Sequence, residues 1–302
     1  MKCLDPDVYS HLSAENDGGD RHSNRLIRMS NPKRVTSYPK LVQTIARIQF
    51  YNPEYSLFFR GQAQEYPLDS GAASMYPSIY RTLEGPLTTN ELQVRMKKLA
   101  LAEKLLLEKF LANKLAGYDK LTNFSELCWA ILQHYEVCRT PLLDITRSLQ
   151  AAASFALRHD PATGILYVLG FPHVNASISY YVEEELLNIK LLSICPPEAQ
   201  RPYFQEGFLV GTFPSKASQR HKGLDVACRL IAKFIIGWGK PDTWNFWGDN
   251  YEPIPDGALF PEKDKVEKIC NEIKGELDAI PGEYWQEVAS AEQAVEDEIL
   301  PL

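Results

Sequence analysis

Residues 140–157 read Thr-Pro-Leu-Leu-Asp-Ile-Thr-Arg-Ser-Leu-Gln-Ala-Ala-Ala-Ser-Phe-Ala-Leu, two elements joined by a turn. Pro141 has no amide proton and cannot sit inside a helix, so Thr140 to Asp144 is a brief extended segment. The alanine-rich run from Ser148 to Leu157 is a strong helix former, with Thr146 or Ser148 placed to cap its first turn. Upstream, Asn123 to His134 forms a second helix, capped by Asn123 and carrying Leu127, Trp129, Ile131 and Leu132. Thr88 with Glu91 is a capping-box pattern that opens a long helix to about Ala116, closed by Gly117. Ser56 to Arg60 suits a strand stopped by Gly61, and Pro39 to Gln49 carries Leu41, Ile45 and Ile48 at helical spacing. Downstream, Ile165 to Phe171, Ile189 to Cys195 and Phe208 to Phe213 read as strands and Leu224 to Ile236 as an apolar helix. Gly237 to Pro255 reads as a surface loop, and Phe260-Pro261 leads into a last helix pair. The alternation is irregular and lacks a repeat, which gives an α+β class with mixed or antiparallel small sheets packed with several helices.

Composition narrows the function classes. With 302 residues, 45% hydrophobic and 24% charged, the chain is neither disordered nor collagen-like. The most apolar stretch, Leu230 to Trp238, is broken by Lys233 and falls far short of the roughly 20 residues that span a bilayer, so no membrane association is expected. The first residues carry Asp5, Asp7, Glu15 and Asp17 rather than an apolar signal region, which makes the cytoplasm the expected location. Six scattered cysteines show no C-x-x-C spacing, so no metal is expected and buried free thiols are the plain reading. The net charge of −7 is uneven: Arg21 to Pro53 holds no acid, and Pro281 to Leu302 holds no base. The polar start divides the chain into a flexible basic leader (1–35), a central domain (36–280) and an acidic extension (281–302). The leader could track a nucleic-acid backbone or simply be solvated and self-paired.

Four polar clusters interrupt apolar elements: Arg60-Gly61-Gln62, Gln133-His134-Tyr135, Asp144-Ile145-Thr146-Arg147-Ser148 and Gln205-Glu206-Gly207. Each has a structural alternative. Arg60 could pair with a nearby acid, Asp144 and Thr146 could cap a helix, and His134 could meet a helix C-terminus. Glu206 could be a solvated strand-edge acid, and Gln205 a partner for backbone groups. One shared pocket explains four such clusters better than four separate coincidences.

These residues resemble the FRG domain family. The likeness rests on Phe59-Arg60-Gly61-Gln62, Tyr76-Pro77-Ser78 with Arg81, Gln133-His134-Tyr135, Thr140, Leu142-Leu143-Asp144, Thr146, Ser148, Ala152 to Ala156, Gln205, Gly207-Phe208 and Phe260-Pro261. It runs from about Tyr38 to Leu277, with Glu136 where the family usually has glycine and Pro141 where it often has arginine. The family implies a bacterial or phage-conflict setting, as a defence or toxin component. The order of motifs also resembles ADP-ribosyltransferases, which implies a fold of that kind and NAD as substrate. On that resemblance Arg60 holds a phosphate, Gln62, His134, Tyr135, Thr146, Ser148 and Gln205 contact a nucleotide-like ligand, and Glu206 or Asp144 steadies the developing cation. A protein or nucleic acid would be the acceptor. The alternatives are a non-catalytic sensing or interaction module of a defence system, and a nucleic-acid-acting protein that uses the basic leader.

Overall fold

The structure is a computed structural model that describes residues 1–15, 18–82, 86–160, 162–218, 224–237 and 245–285. Among them a single eight-stranded mixed sheet forms the frame, in place of several small sheets. Its strands are β1 (Lys33–Arg34), β2 (Ser56–Gln62), β3 (Leu142–Thr146), β4 (Gly164–Phe171), β5 (Ile178–Tyr181), β6 (Leu186–Lys190), β7 (Gly207–Gly211) and β8 (Leu230–Ile236). The order is β1-β8-β4-β2-β3-β7-β6-β5, antiparallel except for the β1–β8 edge. The class is α+β, as expected.

The helices that pack around this sheet include α1 (Asn24–Met29), α2 (Tyr38–Tyr51), α3 (Thr89–Ala112), α4 (Tyr118–Asn123), α5 (Ser125–His134), α6 (Leu149–Leu157), α7 (Leu191–Ile194), α8 (Arg201–Gln205), α9 (Asp256–Leu259) and α10 (Lys265–Asp278). The Thr88–Glu91 capping box is formed, and Ser148, not Thr146, caps α6 by accepting from the amide of Ala151 at 3.2 Å. α3 stops at Ala112, and Gly117, at φ 90°, precedes α4. Asn123 therefore ends α4 instead of capping α5.

Two apolar cores result. The first joins the N-terminal segment, α1, α2 and the Ala face of α6 to β2, β4 and β8. The second joins α3, α5 and α10 to β6 and β7.

Several expectations are corrected. Leu230–Ile236 is a buried strand next to the short edge strand β1, not a helix. A strand covered on both faces shows no alternation, so its apolar run mimics a buried helix. The segment from Ile189 splits into the end of β6 and the short α7, and the strand from Phe208 ends at Gly211. Within Gly237 to Pro255, Phe246 and Trp247 are buried beside the ring of Tyr38, while 238–244 lie outside the described residues. After Phe260 come α10 and a further helical stretch at 282–285, in keeping with the expected helix pair.

The basic leader is packed, not loose. Met1, Leu4, Val8, Tyr9 and Ile27 are buried, and β1 pairs in parallel with β8. The side-chain amide of Asn24 donates to the carbonyls of Ala227 and Leu230, each at 3.0 Å. Arg21 pairs with Glu54 and Arg28 with Asp225, which accounts for two of the leader's basic charges, while its Glu15 pairs with Arg47 of α2. Of the acidic extension, Trp285 is buried and 286–302 lie outside the described residues.

Candidate functional site

The pocket lies where the sheet opens. β2 and β3 share one ladder pair, Phe59 with Thr146, whereas β2 pairs with β4 along its whole length. Beyond that pair a cavity of about 350 Å³ is lined by both strands, the C-terminal end of α5, one face of α6 down to Arg158 at its C-terminus, and the ends of α8 and α9. Arg60 spans the opening, and its Nη1 donates to the main-chain carbonyl of Asp144 at 2.6 Å. Its Nε is buried with no hydrogen-bond partner. Burial pulls its basicity down, partly offset by Asp144, yet a guanidinium stays charged at neutral pH.

Asp144 is the centre of a polar network. His134 Nδ1 lies 3.1 Å from Asp144 Oδ1, and Gln133 Nε2 donates to Asp144 Oδ2 at 2.9 Å. Gln133 is oriented in turn, because its Oε1 accepts from the hydroxyls of Thr140 at 2.6 Å and Ser78 at 3.2 Å. Burial acts to raise the Asp144 carboxyl, but the bonds and charge of His134, the bond from Gln133 and the charge of Arg60 outweigh it and hold it below the usual range. The Asp144 side chain is 36% exposed, whereas that of His134 is 2% exposed with Nε2 unpartnered. Gly207 makes room for this imidazole, since a Cβ there would lie 3.2 Å from His134 Cε1.

Gly61 serves packing. A Cβ at this position would overlap the carbonyl oxygen of Ala152, so α6 lies directly on β2. The close approach this glycine allows is that of a helix. Gly164 does the same on β4 against Ala156. With the helix held this close to the strand, Ala152, Phe155 and Arg158 line the cavity.

Four of the expected residues do not line the pocket. Tyr135 is buried and donates its hydroxyl to Asp264 Oδ2 at 2.7 Å; burial first, then that carboxylate, pushes it up. Ser148 is occupied as a helix cap, and Gln62 continues β2 past the opening. Glu206 is exposed in a left-handed turn at φ 46° after α8, because the strand begins only at Gly207. Arg60, His134, Asp144, Thr146 and Gln205 do converge. The Thr146 hydroxyl donates to the Gln205 carbonyl at 2.8 Å and accepts from the Ser148 amide at 2.9 Å, and the Gln205 amide donates to the Leu259 carbonyl at 2.8 Å. Both serve to tie the pocket walls together.

Sequence reading missed Arg158 and Arg201, whose guanidinium groups both lie against the ring of Phe260. Their guanidinium carbons lie 4.2 and 4.7 Å from its ring centroid. Arg158 donates to Asp256, and Arg201 to Glu136 Oε1 at 3.1 Å. Arg201 Nε is buried without a partner. Neither arginine belongs to a local pattern, so no sequence signal marked them. Glu136 has φ 56°, the conformation glycine adopts most easily, which suits the glycine that the family resemblance leads one to expect here. Here the strain of a non-glycine residue accompanies an ion pair at the rim. Arg81 also lines the cavity; burial first, then the charges of Arg60 and Arg139, bring it down to about 10. Four arginines therefore meet two acids, Asp144 and Glu136, in a chain whose net charge is −7.

Residues 55–163 match the family model of the FRG domain. The chain carries an FRG domain, and the match falls within the span expected from its motifs. No curated protein and no solved structure matches the chain. The matched region supplies Arg60, Ser78, Arg81, Gln133, His134, Asp144, Thr146 and Arg158, while Arg201, Gln205 and Phe260 close the pocket from beyond it. No helix among the described residues is long and apolar enough to cross a membrane.

Proposed function

We propose that the opening between β2 and β3 binds a nucleotide-like ligand, with NAD as the molecule to test first. The observation that carries this reading is the convergence of Arg60, Arg81, Arg158 and Arg201 in one cavity of an acidic protein. Guanidinium groups with spare donors favour the paired oxygens of a phosphate or pyrophosphate. Phe155 and Phe260 also line the cavity and offer apolar faces for a planar ring. The volume of about 350 Å³ lies at the small end of the roughly 300–1,000 Å³ range of ligand pockets.

NAD would supply a glycosidic bond to nicotinamide whose cleavage develops positive charge on the ribose. Of the two carboxylates on the cavity, Glu136 is paired with Arg201 at the rim, and Asp144 is kept ionised by His134 and Gln133 and held near Arg60. It would steady that charge, while Arg60 and Arg81 hold the phosphates and α6 excludes water from one side. Glu206 is outside the cavity and plays no part in this scheme. Both oxygens of Asp144 already accept hydrogen bonds, which favours a second reading in which the pocket senses a ligand without turning it over. A role in defence or toxin systems rests on the family resemblance.

The test pairs calorimetric binding of NAD with nicotinamide release, for the wild type, Arg60→Ala and Asp144→Asn. Binding lost in Arg60→Ala, with release down about 100-fold or more in Asp144→Asn, supports the enzyme. Binding without release by any of the proteins leaves the sensing module. No binding of NAD, ADP or pyrophosphate by the wild type overturns the ligand class.

A further inference from the structure

Cys3 and Cys228 are 225 positions apart in the chain, yet their sulfur atoms lie 2.6 Å from each other. The backbone holds them there: the Leu4 amide donates to the Cys228 carbonyl at 2.9 Å, and the Lys2 amide donates to the Glu184 carbonyl at 2.8 Å. Cys228 sits in the short 3₁₀ turn Val226–Arg229 that leads into β8, with Asp225 capping it by accepting from the Ala227 amide. Cys3 is exposed and Cys228 is buried. The other four cysteines are buried or half-buried.

We propose that Cys3 and Cys228 form an oxidation site in which a peroxide converts the two thiols to a disulfide. The exposed sulfur is the one suited to react first. The contact with Cys228 draws the Cys3 thiol down to about 6, against burial, and the charges of Arg28 and Arg229 act in the same direction. The Cys3 thiolate attacks one oxygen of hydrogen peroxide, breaking the O–O bond and leaving a sulfenic acid and hydroxide, which takes up a proton to become water. The Cys228 sulfur then attacks the sulfenic sulfur, the S–O bond breaks, and a second water leaves with the thiol proton. The two thiols lose two electrons and two protons, and one peroxide becomes two waters. The bond closes a loop of more than two hundred residues and ties the N-terminal segment to the start of β8, at a site separate from the arginine pocket.

The test uses the full reduced chain, treated with one equivalent of hydrogen peroxide and digested without reductant. The expected product is a single linked peptide pair, Cys3 with Cys228, lighter than the sum of its parts by two hydrogens. It should be absent in Cys3→Ser, whose exposed position tolerates the change. In a parallel measurement, iodoacetamide at pH 7 should label Cys3 at least about tenfold faster than any other cysteine. A Cys3 that ends as sulfinic acid with no cross-link, a link to another cysteine, or slow labelling at Cys3 would overturn the proposal.

Discussion

Two helices lean on neighbouring strands of the same sheet by opposite means. α6 meets β2 and β4 through Gly61, Gly164, Ala152 and Ala156, where the absence of side chains brings backbones together. The end of α5 meets β3 through Gln133, His134 and Asp144, joined by hydrogen bonds and half open to a cavity. The first contact is dry and close-packed and has little tolerance for added volume. The second keeps charged and polar groups near solvent, which costs desolvation and is stable only while each group has a partner. Close packing and the polar network thus occupy separate sides of one opening, and the glycine of the Phe-Arg-Gly motif belongs to the packed side while its arginine belongs to the polar one.

The sharpest way to break this contrast is to add volume on the dry side. Gly61→Val should cost at least about 3 kcal/mol, read as a fall in the urea midpoint or a failure to fold, because α6 must move off β2. A variant with near-wild-type stability would mean that the seam is loose. Gly164→Ala should act in the same direction against Ala156.

The second test separates the pocket from an unrelated titration. Burial depresses His11 to about 4 from the usual 6.5. The unfolded chain takes up a proton between these values while the folded chain resists it, so stability is full above about pH 6.5 and falls as pH drops towards 4. The loss is on the order of 3 kcal/mol. Urea melts of wild type and His11→Asn across that window should show a steep line and a flatter one. Equal slopes would remove His11 as the cause.

On the polar side, Asp144→Asn should cost about 1–2 kcal/mol at pH 7 by weakening the bonds from His134 and Gln133. A carboxyl held below its unfolded value contributes stability above about pH 4, and that part is lost as pH falls through the lower folded value. The variant should therefore lose less than the wild type below pH 4, measured by the same melts. The smallest effect belongs to Glu206→Gln, which should leave both stability, within about 0.5 kcal/mol, and ligand binding unchanged. A loss of binding there would place Glu206 in the pocket after all.

Much of the site was legible as residue types. Arg60, His134, Asp144, Thr146 and Gln205 stood out as polar breaks in apolar elements, and all five line the cavity. Arg158, Arg201 and Phe260 did not stand out as a group, because charges and rings that meet only across the fold leave no spacing to read. Tyr135 and Ser148 were the right kind of residue facing other tasks, one bonded to Asp264 and one capping α6. β8 was misread because burial on both faces erases the alternation that marks a strand, and the N-terminal segment because its apolar residues have no period of their own.

By itself the sequence determined the strand, turn and helix of residues 140–157, the capped α3, the α+β class and the presence of the Phe-Arg-Gly elements. These follow from interactions within a few residues, where proline, caps and helix propensity act directly. Only the tertiary structure decided that β2 and β3 part after one pair, that four arginines face the gap, and that Cys3 lies against Cys228. Strand register and contacts between distant segments depend on how two cores fill space at once, and no local stretch of chain contains that information.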